Sequence, residues 1–422
     1  MSLEYTSDES NPHSPTAAHS TTHSPDSTKS PSHADDTTEL EDANEDPDGI
    51  GTSVCGSLTS GIGSDTGPLL LLLDANWINK MMFDPSRSSE RLRNRILAVY
   101  FESSRSRHQM ILTANVLQAV IAFSANYKPM LFALAKEVRE TLVHSTGSLY
   151  SGTSSFSPLH LTLEVNLFFL TGPVHEGLRF MNDIAPVLRR MCSNTMSQYI
   201  HLPSLLDHPD HNVRAYPMVD ILYSMLTGLP TALKYDATTY PQGRAPGYAE
   251  PVGAWLTGQP SELTLILARI TSLHGEFGID VDPSIVEEIE SDIRDFKPDP
   301  GTSAEPSRTI VRLVVLESWR QRLCGETALG PRVQAAQRRL MKLITHTKPG
   351  QKGVFHLGLV TSRPDERRHI LQRLQSLPHS RMESFLKHGI HVLHDIWART
   401  DAEGRPARWS DLRVATRRIL GI

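Results

Sequence analysis

From residue 68 to the C-terminus, apolar residues recur at helical spacing, whereas alternating period-two stretches are scarce. The pattern predicts helices over 90–102 (Leu92, Ile96, Val99, Tyr100) and 109–124 (Ile111, Leu112, Val116, Val120, Phe123). A third is expected over 130–143, with Pro129 in its first turn, where a missing N–H costs nothing. After a Ser/Gly-rich loop over 145–157, Gly172-Pro173 splits a helical pair over 159–170 and 174–191. Residues 201–215 are polar and broken. Further helices are expected over 217–228, 261–274 (Leu263, Ile266, Leu267, Ile270) and 283–296, separated by loops over 235–248 and 297–307. Residues 308–323 are strongly apolar and predict a buried helix, although Thr309-Ile310-Val311 and Val314-Val315 keep a strand alternative. Pro331 opens a helix with the stripe Val333, Ala336, Leu340, Leu343 and Ile344, and Pro364 opens one with Ile370, Leu371, Leu374 and Leu377. Phe385, Gly389, Val392, Leu393 and Ile396 define the next. Ser410 is expected to cap the last helix, with Asp411 in its first turn and Arg417 and Arg418 in its last, a charge order that suits the helix dipole. The expected fold class is all-α, an irregular multi-helix bundle of about eleven helices without a sheet, its core forming one body from 68 to 422.

Charge divides the chain at the same place. Residues 1–67 carry 13 acidic groups and one basic group, Lys29, a net of −12, whereas the remainder is +7. The first segment is Ser, Thr, Asp, Pro and His with almost nothing apolar, so it cannot bury enough surface to offset the entropy of ordering. It is expected to be a disordered acidic tail. Its Ser14-Pro15, Ser24-Pro25 and Ser30-Pro31 steps could accept phosphate, although such steps are ordinary in disordered tails. No apolar run approaches the ~20 residues that span a bilayer, and the N-terminus has neither the basic nor the apolar region of a signal peptide.

Chemistry is sparse. Three cysteines, Cys55, Cys192 and Cys324, lie too far apart for a disulfide scaffold or a zinc site of closely spaced thiols, and Cys192 and Cys324 are expected to be buried packing residues. No phosphate-binding glycine loop, dinucleotide fingerprint or nucleophile elbow occurs. Among 19 histidines the tightest cluster is His388, His391 and His394, with Asp395. His388 and His391 can share a helix face, but over six residues the azimuth turns by about 240°, so all three cannot line one site. They are expected to be partly exposed helix residues. His394-Asp395, together with Asp207-His208-Pro209-Asp210-His211, raises the alternative of a helical metal-dependent phosphohydrolase, although 207–211 reads first as a polar turn. Basic residues near the C-terminus (Arg367, Arg368, Arg373, Arg381, Lys387, Arg399) are spread around helices and form no single stripe for nucleic acid. The residues therefore propose no catalytic, cofactor-binding or metal-ligating set, and a non-nuclear helical scaffold stays open as a third reading.

One resemblance gives a more specific expectation. Glu250-Pro251-Val252-Gly253-Ala254-Trp255-Leu256-Thr257-Gly258-Gln259-Pro260, leading into Leu263–Leu273, resembles a stretch of the fungal-specific transcription factor domain. So do 365–377, Val392-Leu393-His394-Asp395-Ile396-Trp397-Ala398-Arg399, and Arg408-Trp409-Ser410-Asp411-Leu412, which is similar to the domain's C-terminal end. The resemblance implies an all-helical, non-enzymatic regulatory region acting in the nucleus through protein partners or a small-molecule effector. In that family DNA is read by a separate N-terminal cluster of six cysteines around two zinc ions. No such segment stands in this sequence, so specific DNA binding by this chain alone is not expected. Trp255, Trp319, Trp397 and Trp409 are expected to anchor helix packing.

Overall fold

The computed structural model describes residues 89–121, 127–148, 172–192, 197–208, 211–237, 261–296, 321–346, 358–359, 361–375 and 379–421. Twelve helices stand among these residues. They are α1 Ser89–Glu102, α2 Ser104–Ile121, α3 Tyr127–Ser148, α4 Val174–Met191, α5 Leu202–Leu206, α6 His211–Thr227, α7 Ser261–Phe277, α8 Pro283–Asp295, α9 Pro331–His346, α10 Pro364–Gln375, α11 His379–Ala402 and α12 Trp409–Leu420. The fold is all-α. The expected tail over 1–67, the helix over 159–170, most of that over 308–323, and Trp255 and Trp319 lie outside the described residues.

The helices pack in chain order through α1, α2 and α3, and then close on themselves. α4 lies on α3, and α11 returns to pack on both α2 and α4. At the centre is α6, which touches α4, α5, α7 and α12. Its burial explains its composition. Val213 and every residue from Ala215 to Ile221 are buried, so the helix is enclosed on all sides and, Asp220 apart, that stretch is apolar. The sequence pattern places the start of this helix at 217. The chain is helical from His211 and runs through Pro217. Proline in a helix interior forfeits a hydrogen bond. Burial of Val213, Ala215 and Tyr216 in the turn before it provides the offset.

Other expectations differ as well: α3, expected over 130–143, runs from Tyr127 to Ser148, into the expected loop. Helix α2 begins at Ser104, well before 109, because Ser103 Oγ accepts the Ser106 N–H (3.0 Å) and caps an otherwise polar first turn. The stretch 201–215 is largely ordered helix, since it contains α5 and the start of α6. And a minimal sheet exists: β1 (Ile200–His201) pairs in parallel with β2 (Tyr235–Asp236), Ile200 opposite Tyr235.

What holds β2 against the bundle is one buried carboxylate. Asp220 on α6 accepts the Ala232 N–H (2.8 Å), the Leu233 N–H (3.2 Å) and the Tyr235 hydroxyl (2.8 Å). Ser224 Oγ donates to the Leu229 carbonyl (2.6 Å), and Tyr216 Oη donates to the Met181 carbonyl on α4 (2.7 Å). The segment after α6 is thus hung from α6 itself. It begins at Gly228, whose φ of 68° is left-handed and whose missing Cβ makes room for the Arg413 backbone of α12.

Candidate functional site

Of the segments quoted for the resemblance, 392–399 and 408–412 come together where α11, α12 and their connection meet, and 250–260 lies outside the described residues. Asp411 is the hub. Its carboxylate accepts two bonds from Arg405 (2.7 and 2.8 Å) and the Arg408 N–H (2.8 Å), and it pairs with Arg399 of α11. Arg399 Nη2 also reaches the Asp411 carbonyl (3.2 Å) and Asp395 (3.5 Å), and Arg418 of α12 approaches Asp395 from the other side (3.3 Å). Burial pushes the Asp411 carboxyl up, but the bonds from Arg405, the Arg408 N–H and Arg399 outweigh it and hold the group down at about 2. Ser410 is not the cap expected from the sequence. The N-cap is Arg408, and Asp411 at the third helical position reaches back to its N–H. Ser410 stands two residues past the cap, inside the helix, and the reach back to the Arg408 N–H is made by a carboxylate that two arginines hold in place.

Because the folded-state value lies below the ordinary 3.8, the Asp411 network stabilises the fold above that pH and loses its contribution as pH falls toward 2. The expected loss is about 2 kcal/mol. Urea unfolding between pH 5 and 2 should show it, and Asp411→Asn should flatten that limb of the profile.

The tryptophans flank this hub. Trp397 is buried, its Nε1–H donates to the Gly358 carbonyl (3.0 Å), and the Arg367 guanidinium lies over its ring (5.1 Å) while gripping Asp401 with both nitrogens (2.6 and 2.9 Å). Trp409 is buried under Arg322 (4.5 Å). Arg322 is an arginine that the periodicity did not single out. It is buried and donates to Thr271 Oγ1 (2.7 Å), and among the described residues it forms no salt bridge. Burial pulls its guanidinium down to about 9.

The histidine cluster divides as helix geometry requires. His394 is exposed and meets the edge of Trp397 (5.8 Å between centroids), while Asp395 is committed to Arg399 and Arg418. The dyad needed by the hydrolase alternative is therefore an arginine-bound carboxylate beside an aromatic edge. Asp207 and His208 follow α5 at the surface, and 209–210 lie outside the described residues. Among the described residues, no group of three or more His, Cys, Asp or Glu is placed to hold a metal. Cys192 is half-buried with its thiol on the Leu188 carbonyl (3.3 Å), and burial raises its pKa. Cys324 is exposed, contrary to its expected burial, because the helical turn of 321–323 ends there. Of the basic residues, Arg367 and Arg399 are bound to carboxylates, whereas Arg368 points to solvent.

His388 and His391 do share a face, and they turn it to a cavity of about 270 Å³. Tyr127 and Lys128 of α3, Pro173, Val174 and His175 at the start of α4, Lys387 of α11, and Ile419 and Leu420 at the end of α12 complete the lining. Burial, and then the neighbouring His391, pull the His388 imidazole down to about 4, so it is neutral at pH 7. Its Nε2 is buried and has no hydrogen-bond partner.

No known protein family, curated protein or solved structure matches this chain. No helix among the described residues is long and apolar enough to cross a membrane.

Proposed function

We propose that this chain is a non-enzymatic helical regulator of transcription, of the kind found as the regulatory region of fungal zinc-cluster transcription factors. It works in the nucleus through protein partners and a small-molecule effector, and does not itself read DNA sequence. The observation that carries the reading is the unit built by Trp397, Arg399, Trp409 and Asp411. Residues quoted for the resemblance from two separate motifs meet in one buried network of aromatic packing and charge.

Sequence-specific DNA recognition needs an element that enters a groove and side chains set against base edges. The basic excess here is spread over many helices, and its most structured members, Arg367, Arg399 and Arg405, are spent on Asp401 and Asp411. Binding of the purified full chain to random genomic fragments should be weak, indifferent to sequence and lost as salt rises. Sequencing of the bound pool checks this. Enrichment of one motif at nanomolar affinity, with no partner present, would overturn it.

A further inference from the structure

We propose that the cavity between α3, α4, α11 and α12 binds a small organic anion, a carboxylate or phosphate carried on an apolar or aromatic body. This names the effector class for the regulatory reading and rests on that reading only for the ligand's biological use. The lining has two halves. Tyr127, Pro173, Val174, Ile419 and Leu420 form an apolar and aromatic wall, whereas Lys128, Lys387, His175, His388 and His391 supply cationic or donor groups. Among the described residues, no carboxylate lines the space. Glu176, beside His175 (3.8 Å), is already bound by Arg139 at 2.7 Å.

The backbone adds to the same sign. Helices α3 and α4 both turn their first residues to the cavity; Pro173 at the head of α4 provides no side-chain cap, and the Glu176 N–H turns back to the Pro173 carbonyl (3.0 Å), so of that turn only the Val174 and His175 N–H groups are left for an acceptor. One helix end opposes them, since α12 finishes at Ile419 and Leu420. There the Arg417 carbonyl is already satisfied by the Gly421 N–H (2.9 Å). His388 lines the same space with a ring that is neutral at pH 7, its Nε2 closed to solvent and without a partner. At about 270 Å³ the space has room for an aromatic acid.

The test is calorimetric titration of the purified full chain at physiological salt with benzoate, phenyl phosphate and inorganic phosphate. One or both organic probes should bind, and the stronger of the two identifies the headgroup. Lys387→Gln and Lys128→Gln, both at exposed positions and so compatible with folding, should each weaken that binding by about tenfold. Failure of both organic probes to bind would overturn the proposal. So would binding that survives both substitutions, or inorganic phosphate binding as tightly as phenyl phosphate, since the apolar wall would then have no part. None of these outcomes bears on whether the chain regulates transcription.

Discussion

Replacing Trp397 with alanine should destabilise the protein by about 3–5 kcal/mol, the range for emptying a large aromatic from a core. Three losses coincide at this residue. The indole leaves a space among buried residues that include Val392, Leu393 and Ile396 of its own helix. The Gly358 carbonyl loses its donor. Arg367, which lies on the ring while it holds Asp401, loses the surface it rests on. Trp397→Phe keeps most of the apolar contact and sacrifices the hydrogen bond, so it should cost about 1–2 kcal/mol. Urea unfolding followed by circular dichroism separates the two. A cost below about 1 kcal/mol for the alanine variant, as for an exposed site, would show that Trp397 is not a packing anchor.

Asp220→Ala should cost as much, about 3–5 kcal/mol, for a different reason. No large cavity forms, but two backbone N–H groups and the Tyr235 hydroxyl lose their common acceptor in the core. The pairing of β2 with β1 should fail with them, since Tyr235 is its register residue. Burial pushes the Asp220 carboxyl up to about 6, against the three hydrogen bonds that favour its ionised form. A raised folded-state value means the native protein binds the proton more tightly than the unfolded chain does. Stability from this group is therefore fully present below the ordinary 3.8 and is lost as pH rises through 6. Asp220→Asn cannot titrate, so the difference between wild type and this variant should shift against the wild type from pH 4 to 6. His388 acts in the opposite direction over nearly the same range, because its value is lowered to about 4. The Asp220 effect is accordingly read from the difference between the two proteins.

Strong amphipathic stripes were legible in the sequence. Helix α4 begins at Val174 and ends at Met191, as expected, because Pro173 and the alternation of Phe180, Ile184 and Leu188 with exposed Arg179, Asn182 and Arg190 leave one face to bury. Helix α6 was half legible. A helix buried on every side has no stripe, and the expected start at 217 fell inside a helix that begins at His211. The segment around β2 read as loop because its order comes from a carboxylate distant in sequence, not from a local pattern. The one local clue was Asp220 itself, a charge inside the apolar run Val219-Asp220-Ile221-Leu222. At the candidate sites, the sequence separated His394 from His388 and His391 by helical azimuth alone. It could not reveal that Lys128, His175 and Lys387 converge on the same cavity, since they come from three helices.

The regulatory reading meets its most direct test in a tethered reporter. The full chain is fused to an unrelated DNA-binding domain that supplies the sequence reading this chain is proposed to lack, and transcription from a promoter carrying that domain's site is measured. The fusion should raise or lower transcription relative to the DNA-binding domain alone, and Trp397→Ala, which disrupts the unit of α11 and α12, should abolish the change. Transcription equal to that of the DNA-binding domain alone, from a fusion shown to be folded and nuclear, would contradict the account.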